Sequence, residues 1–131
     1  MKRKDERTKK LTIKYLAWWS KWLGMNWYYG KLRFDEGWKY FNKKKDFNVG
    51  MRCHVDWRYM TYTIDVNLPV MRGMNKCEIE RFVVHELMHV VLDELNADKD
   101  HEERVVTMLE NGVLWVKNRI ITEGKNGKNE H

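Results

Sequence analysis

The chain is predicted to fold as a single α+β domain: a long amino-terminal helix, a three-stranded and mostly antiparallel sheet, then two carboxy-terminal helices. Three observations predict this. Apolar residues recur near every 3.6 positions between 8 and 23 and again from 79 onward; they alternate with polar residues in three runs between 27 and 68; and turn-forming residues sit at the joins. A length of 131 residues with 43% hydrophobic content is enough for one core without staples. The domain is expected to span 1–123, with 124–131, a run of Gly, Lys, Asn, Glu and His, as a disordered polar tail.

Taken in order, Leu11, Tyr15, Trp18 and Trp22 recur at spacings of four, three and four, which predicts a helix over 8–23 stopped near Gly24, with Ile13 and Trp19 widening its stripe. The first strand is expected over Trp27–Phe34 and is broken by Asp35-Glu36-Gly37. For 38–46 a helical turn and a loop fit equally. Met51, Cys53, Val55 and Trp57 alternate with Arg52, His54 and Asp56 in a second strand over 49–57. Tyr62, Ile64, Val66 and Leu68 alternate with Thr61, Thr63, Asp65 and Asn67 in the third, and 58–60 is the hairpin between them. Pro69 ends the third strand.

Asn75 followed by Glu78 is a capping-box pattern that starts a helix apolar on nearly every side: Ile79, Phe82, Val83, Val84, Leu87, Val90, Val91, Leu92 and Leu95. Such a helix belongs in the middle of a domain. Residues 96–100 connect it to a last helix, opened by Glu102-Glu103-Arg104, whose Val105, Val106, Leu109, Val113, Val116 and Ile120 form the expected inward stripe.

Composition excludes some roles. No run approaches the ~20 apolar residues of a bilayer span, and the charged start lacks a secretory apolar core, so a cytoplasmic protein without a membrane partner is expected. Cys53 and Cys77 form no Cys-x-x-Cys pair and are expected to be reduced thiols. The net charge is +6 and the pI about 9.3. The excess lies largely in Lys2, Arg3, Lys4, Arg7, Lys9 and Lys10 and in Lys43-Lys44-Lys45, which leaves association with nucleic acid open. Against a role in base stacking, most of the tryptophans are expected on core faces.

Within the buried helix, His85-Glu86-Leu87-Met88-His89 places two imidazoles one turn apart on one face, where they can share a metal ion. Glu86 points roughly 100° away from His85, the position of a base that acts on water without being a ligand. Three such polar groups amid Val83-Val84 and Val90-Val91 need compensating partners. A catalytic zinc takes three protein ligands and leaves one position open. A third histidine six residues after His89 is ruled out by Leu95, so a carboxylate at the start of the next helix is expected. Glu102 shares the face of Val105, Val106, Leu109 and Val113 and is preferred; Glu103, turned ~100° from it, is the alternative, with Thr107 four residues on as its support. His101 is a further candidate.

His85-Glu86-Leu87-Met88-His89 followed by Glu102-Glu103-Arg104-Val105-Val106-Thr107-Met108-Leu109 resembles the gluzincin metallopeptidases in their smallest form, the minigluzincins and the IrrE-like and SprT-like domains, many of them encoded by phages and mobile elements. Glu102 with Val105 three positions later fits that pattern, whereas Val106 stands where IrrE-like members carry an amide. The resemblance implies a zincin-like fold and a zinc-dependent endopeptidase with one Zn²⁺ per chain, held by His85, His89 and Glu102, with Glu86 as general base. It also implies a protein or peptide substrate extended along an edge strand, expected to be 61–68. Tyr59, Tyr62, His54 and His101 are candidates for steadying the oxyanion. The alternative is a non-catalytic, zinc-stabilised regulatory or interaction module, possible near nucleic acid, for which Glu86 would have no use.

Overall fold

The computed structural model describes residues 2–25, 28–56, 58–93 and 99–129, with the side chains of the last helix described over 102–122. The order is α1 (Lys2–Trp22), β1 (Tyr29–Asp35), β2 (Met51–Asp56), β3 (Thr61–Asn67), a single turn α2 (Leu68–Met71), α3 (Lys76–Leu92) and α4 (Lys99–Asn129). Trp27, Trp57, Leu95 and most of the expected 96–100 connection lie outside the described residues, as does the side chain of His101. The α+β class is as the periodicities predict, and so is the element order apart from the unexpected turn α2, with α4 continuing to Asn129 through most of the segment expected as a tail. No helix among the described residues is long and apolar enough to cross a membrane.

The sheet is mixed, which corrects the expectation of a mostly antiparallel one. Its order is β1-β3-β2, with β1 parallel and β2 antiparallel to β3. Thr61–Asn67 is therefore the central strand, and the edge expected of 61–68 belongs instead to β1 and β2. Alternation along a strand reports which face is buried; it carries no information about which strand lies beside which. The alternation itself holds, with Tyr62, Ile64 and Val66 in the core between the sheet and the helices.

Residues 36–48 form bends and turns with no helix, and they are organised by one carboxylate. Asp35, 1% exposed at the end of β1, accepts hydrogen bonds from the backbone N–H groups of Gly37, Lys39, Tyr40 and Phe41 at 2.7–3.1 Å. The loop then lays Tyr40 under Arg33 and Phe41 under Arg52, and Asp46 pairs with Arg52 at 3.0 Å. Between those arginines, Asp65 receives a bidentate bond from Arg33 and one contact from His54, so three strands are cross-linked on the sheet's polar face.

Burial alone would raise the Asp35 carboxyl, but the four N–H donors outweigh it and hold it below its ordinary 3.8. A depressed carboxyl stabilises the fold above its unfolded pKa and ceases to do so as pH falls through the folded value. Asp35→Ala is therefore expected to cost roughly 2–4 kcal/mol near neutrality, as four donors lose a charged acceptor in a loop that water partly reaches. Urea melts of both proteins should show that gap closing below about pH 4; a gap unchanged at pH 3 would remove the carboxylate as its source.

The helices correct two expected stripes. On α1 the buried positions are Thr8, Thr12, Tyr15 and Trp19, while Trp18 and Trp22 face outward and stack on each other. Both threonines can be buried because each hydroxyl donates to the carbonyl four residues earlier, at 2.9 and 2.7 Å. Of the five tryptophans described, only Trp19 is fully buried; Trp115 is exposed and Trp38 intermediate, and Trp18 and Trp22 are exposed against their expected core positions. On α4 the buried positions are Val106, Glu110 and Leu114, with Val113 and Lys117 partly buried, while Val105, Leu109, Val116 and Ile120 face out. Lys117 reaches Glu80, which also accepts from Trp19 Nε1 at 2.8 Å, and lies over the rings of Tyr15, Trp18 and Trp19. That buried cluster ties α1, α3 and α4 together.

Candidate metal centre

The capping box on α3 is complete. Asn75 Oδ1 accepts from Glu78 N at 2.9 Å and Glu78 Oε1 accepts from Asn75 N at 3.3 Å, which fixes where the helix begins and so which way each later side chain points. Ile79, Val83, Val84, Leu87, Met88 and Val90 are buried, and α3 packs against α1, α4 and β2. His85 and His89 emerge on one side, their ring centroids 5.0 Å apart, under the start of α4.

Each imidazole is held from behind. His85 Nδ1 lies 2.8 Å from Glu110 Oε1, and His89 Nδ1 lies 3.0 Å from Glu102 Oε2. A carboxylate only accepts, so each Nδ1 can donate its N–H to the carboxylate behind it, and the Nε2 lone pair this leaves would serve a cation held between the rings and Glu103. Both Nε2 atoms face Glu103: His85 Nε2 is 3.4 Å from Oε2 and His89 Nε2 is 2.5 Å from Oε1. His85, His89 and Glu103 are the group of donors that come within 4.8 Å of one another among the described residues. Glu103, the alternative in the sequence reading, thus takes the position expected of Glu102, and Glu102 sits behind His89.

The donor set fits a divalent cation. Two imidazole lone pairs and a carboxylate converge, with further carboxylates at Glu102, Glu110 and Glu86 close by; the described counter-charges are Arg81, 2.9 Å from Glu110, and Arg52 across the cleft. Nitrogen and oxygen donors in this number match zinc. Carboxylates on the outer nitrogens orient the rings.

Glu86 lies beside these groups, 8% exposed. Desolvation pushes its carboxyl up to about 8, the charge of Glu103 adds to the rise, and Arg52 opposes it. It lines two adjoining hollows. One, of about 500 Å³, is walled by Arg52, Cys53, His54, His89 and Asp93; the other, of about 470 Å³, by Val49, Gly50, Phe82 and His85; Met51, Glu86 and Glu103 border both. Gly50, on the wall of the second hollow, is closely packed: a Cβ there would stand 2.5 Å from Met71 Sδ and 2.8 Å from the Phe82 ring. Comparison of the chain with protein-family models, with curated proteins and with solved structures gave no match.

Among the other expected site residues, His54 lines the cleft, Tyr62 is buried against the core, and Tyr59 is exposed in the hairpin turn. Thr107 is exposed on α4. Cys53 and Cys77 form no disulfide. Three site residues were missed: Glu110, Arg81, which joins Glu110 to Asn111, and Arg52. A signal for the first existed, because Glu103, Glu110 and Lys117 recur every seven residues and so share one face of α4.

Proposed function

We propose that the protein is a zinc-dependent endopeptidase of the minimal gluzincin, zincin-like type, with zinc held by His85, His89 and Glu103. The observation that carries this reading is the convergence of both Nε2 atoms on the Glu103 carboxylate while Glu102 and Glu110 hold the opposite ring nitrogens. Glu86 supports a catalytic role over a purely structural metal, because a buried carboxyl on an open cleft is of no use to a closed zinc site. When bound, zinc supplies Lewis-acid activation of water and of the scissile carbonyl.

The chain's own residues do the rest. Glu86 accepts the proton of the attacking water and passes it to the departing amine. His54 and Arg52 line the cleft wall, and to hydrogen-bond a carbonyl oxygen that gains charge each would have to share its contact with Asp65 or Asp46. Among the described strands β2 lies at the edge of the sheet beside β3 and runs along the same cleft, so a substrate in extended form would add to its outer edge by main-chain bonds. Its residues would fall into the polar hollow on one side of Glu86 and the apolar hollow of Phe82 on the other.

The test is metal content and cleavage together. Purified protein should carry about one zinc per chain and cut an unfolded protein such as reduced, alkylated casein; a chelator should stop the cut and added zinc restore it. Protein that neither retains nor recruits zinc would sink the proposal.

A further inference from the structure

The chain's formal charge is distributed unevenly. Residues 2–22 contain eight Lys and Arg against two acids, which accounts for the whole +6; the rest of the chain balances at seventeen of each sign. Both acids are engaged: Asp5 accepts from Arg72 at 3.1 and 3.2 Å, and Glu6 lies 3.6 Å from Lys9.

The cations are also aligned. At 100° per residue, Arg3, Arg7, Lys10, Lys14 and Lys21 fall within about 60° of one another, nearly opposite the buried stripe of Thr8, Thr12, Tyr15 and Trp19. All five are exposed. They form a ridge about 27 Å long at 1.5 Å per residue. At its amino-terminal end Lys2, Arg3, Arg7, Lys10 and Lys76 surround a hollow of about 830 Å³ with Glu6 and Leu11. At its carboxy-terminal end stand Trp18 and Trp22, 41% and 54% exposed, their rings 9° from parallel.

We infer that the outer face of α1 binds single-stranded nucleic acid, with the backbone phosphates along the Arg3 to Lys21 ridge and bases on the Trp18–Trp22 platform. A row of cations spaced by one to two helical turns tracks a polyanion, and exposed indole faces accept bases of any sequence. An anionic membrane fits less well, because the helix's apolar face is packed into the fold and cannot be inserted. This surface is separate from the metal centre, so binding should survive His85→Ala and Glu86→Gln.

The experiment measures fluorescence anisotropy of a labelled oligothymidine, a duplex of the same length, and vesicles of phosphatidylserine and phosphatidylcholine, each across a salt series. Wild type should bind the single strand, with affinity falling steeply with salt. Replacing Arg3, Lys10, Lys14 and Lys21 together by Gln should lower the slope of log affinity on log salt by about 3, roughly 0.7 per cation. Arg7 is left in place because it also donates to the Met74 carbonyl at 3.1 Å. Trp22→Ala should weaken the single strand at least about 5-fold and the duplex little. A triple Gln variant at Lys43, Lys44 and Lys45 should match wild type. An unchanged slope in the ridge variant, equal losses in the loop control, no effect of Trp22→Ala, or binding to vesicles but not to the oligonucleotide would each overturn the inference.

Discussion

Glu103→Ala should cost more zinc affinity than any other carboxylate substitution in the chain. Both histidine Nε2 atoms face Glu103, so its removal takes away one of three donors. Glu102→Ala and Glu110→Ala leave the donors in place and free only the ring nitrogens behind them, a change that typically weakens metal binding about 10- to 100-fold. The order is measurable by competition against a chromogenic chelator: Glu103→Ala beyond 100-fold, the other two within that range. Glu110→Ala should add a stability cost, because Arg81 then loses its carboxylate and, among the described residues, keeps Asn111. A larger zinc loss in Glu102→Ala than in Glu103→Ala would return the ligand role to Glu102.

The choice between those neighbours shows what the sequence could and could not carry. Apolar periodicity located α1, α3, α4 and the three strands, and the Asn75–Glu78 pattern the capping box, because those are local properties of the chain; the single turn α2 at Leu68–Met71 carries no such repeat and is not predicted. It misjudged the rotation of α4 by assuming that the apolar stripe through Val105, Leu109 and Val116 faces inward. The helix is instead turned toward Glu103, Val106, Glu110, Leu114 and Lys117, since Glu110 and Lys117 find partners at His85, Arg81 and Glu80 that a count of apolar residues does not register. The same blindness to polar partners hid Thr8 and Thr12 in the core of α1 and displaced Trp18 and Trp22 to the surface. Strand neighbours were illegible for another reason: β1 reaches β3 only after a loop of fifteen residues, 36–50, and β2 have intervened, and nothing local to either strand records that pairing. His85, Glu86 and His89 needed none of this, since their juxtaposition follows from helix geometry alone.

Glu86→Gln separates chemistry from architecture at the same centre. The amide keeps the volume and can still hydrogen-bond, but it cannot take a proton from water, so peptide cleavage should fall by about 10²- to 10⁴-fold while zinc content stays at the wild-type level. Burial already holds this carboxyl up to about 8, so near neutrality and without metal the site contains a largely protonated group, and a neutral amide replaces it at little cost to the fold. Thermal melting of the metal-free proteins should therefore coincide within a few degrees, in contrast to His85→Ala, which opens Glu110 and Arg81 beneath the ring. Should Glu86→Gln cleave at the wild-type rate, the proton would have to leave by another group on the cleft wall, and His54, which faces the same hollow from β2, is where the search would turn.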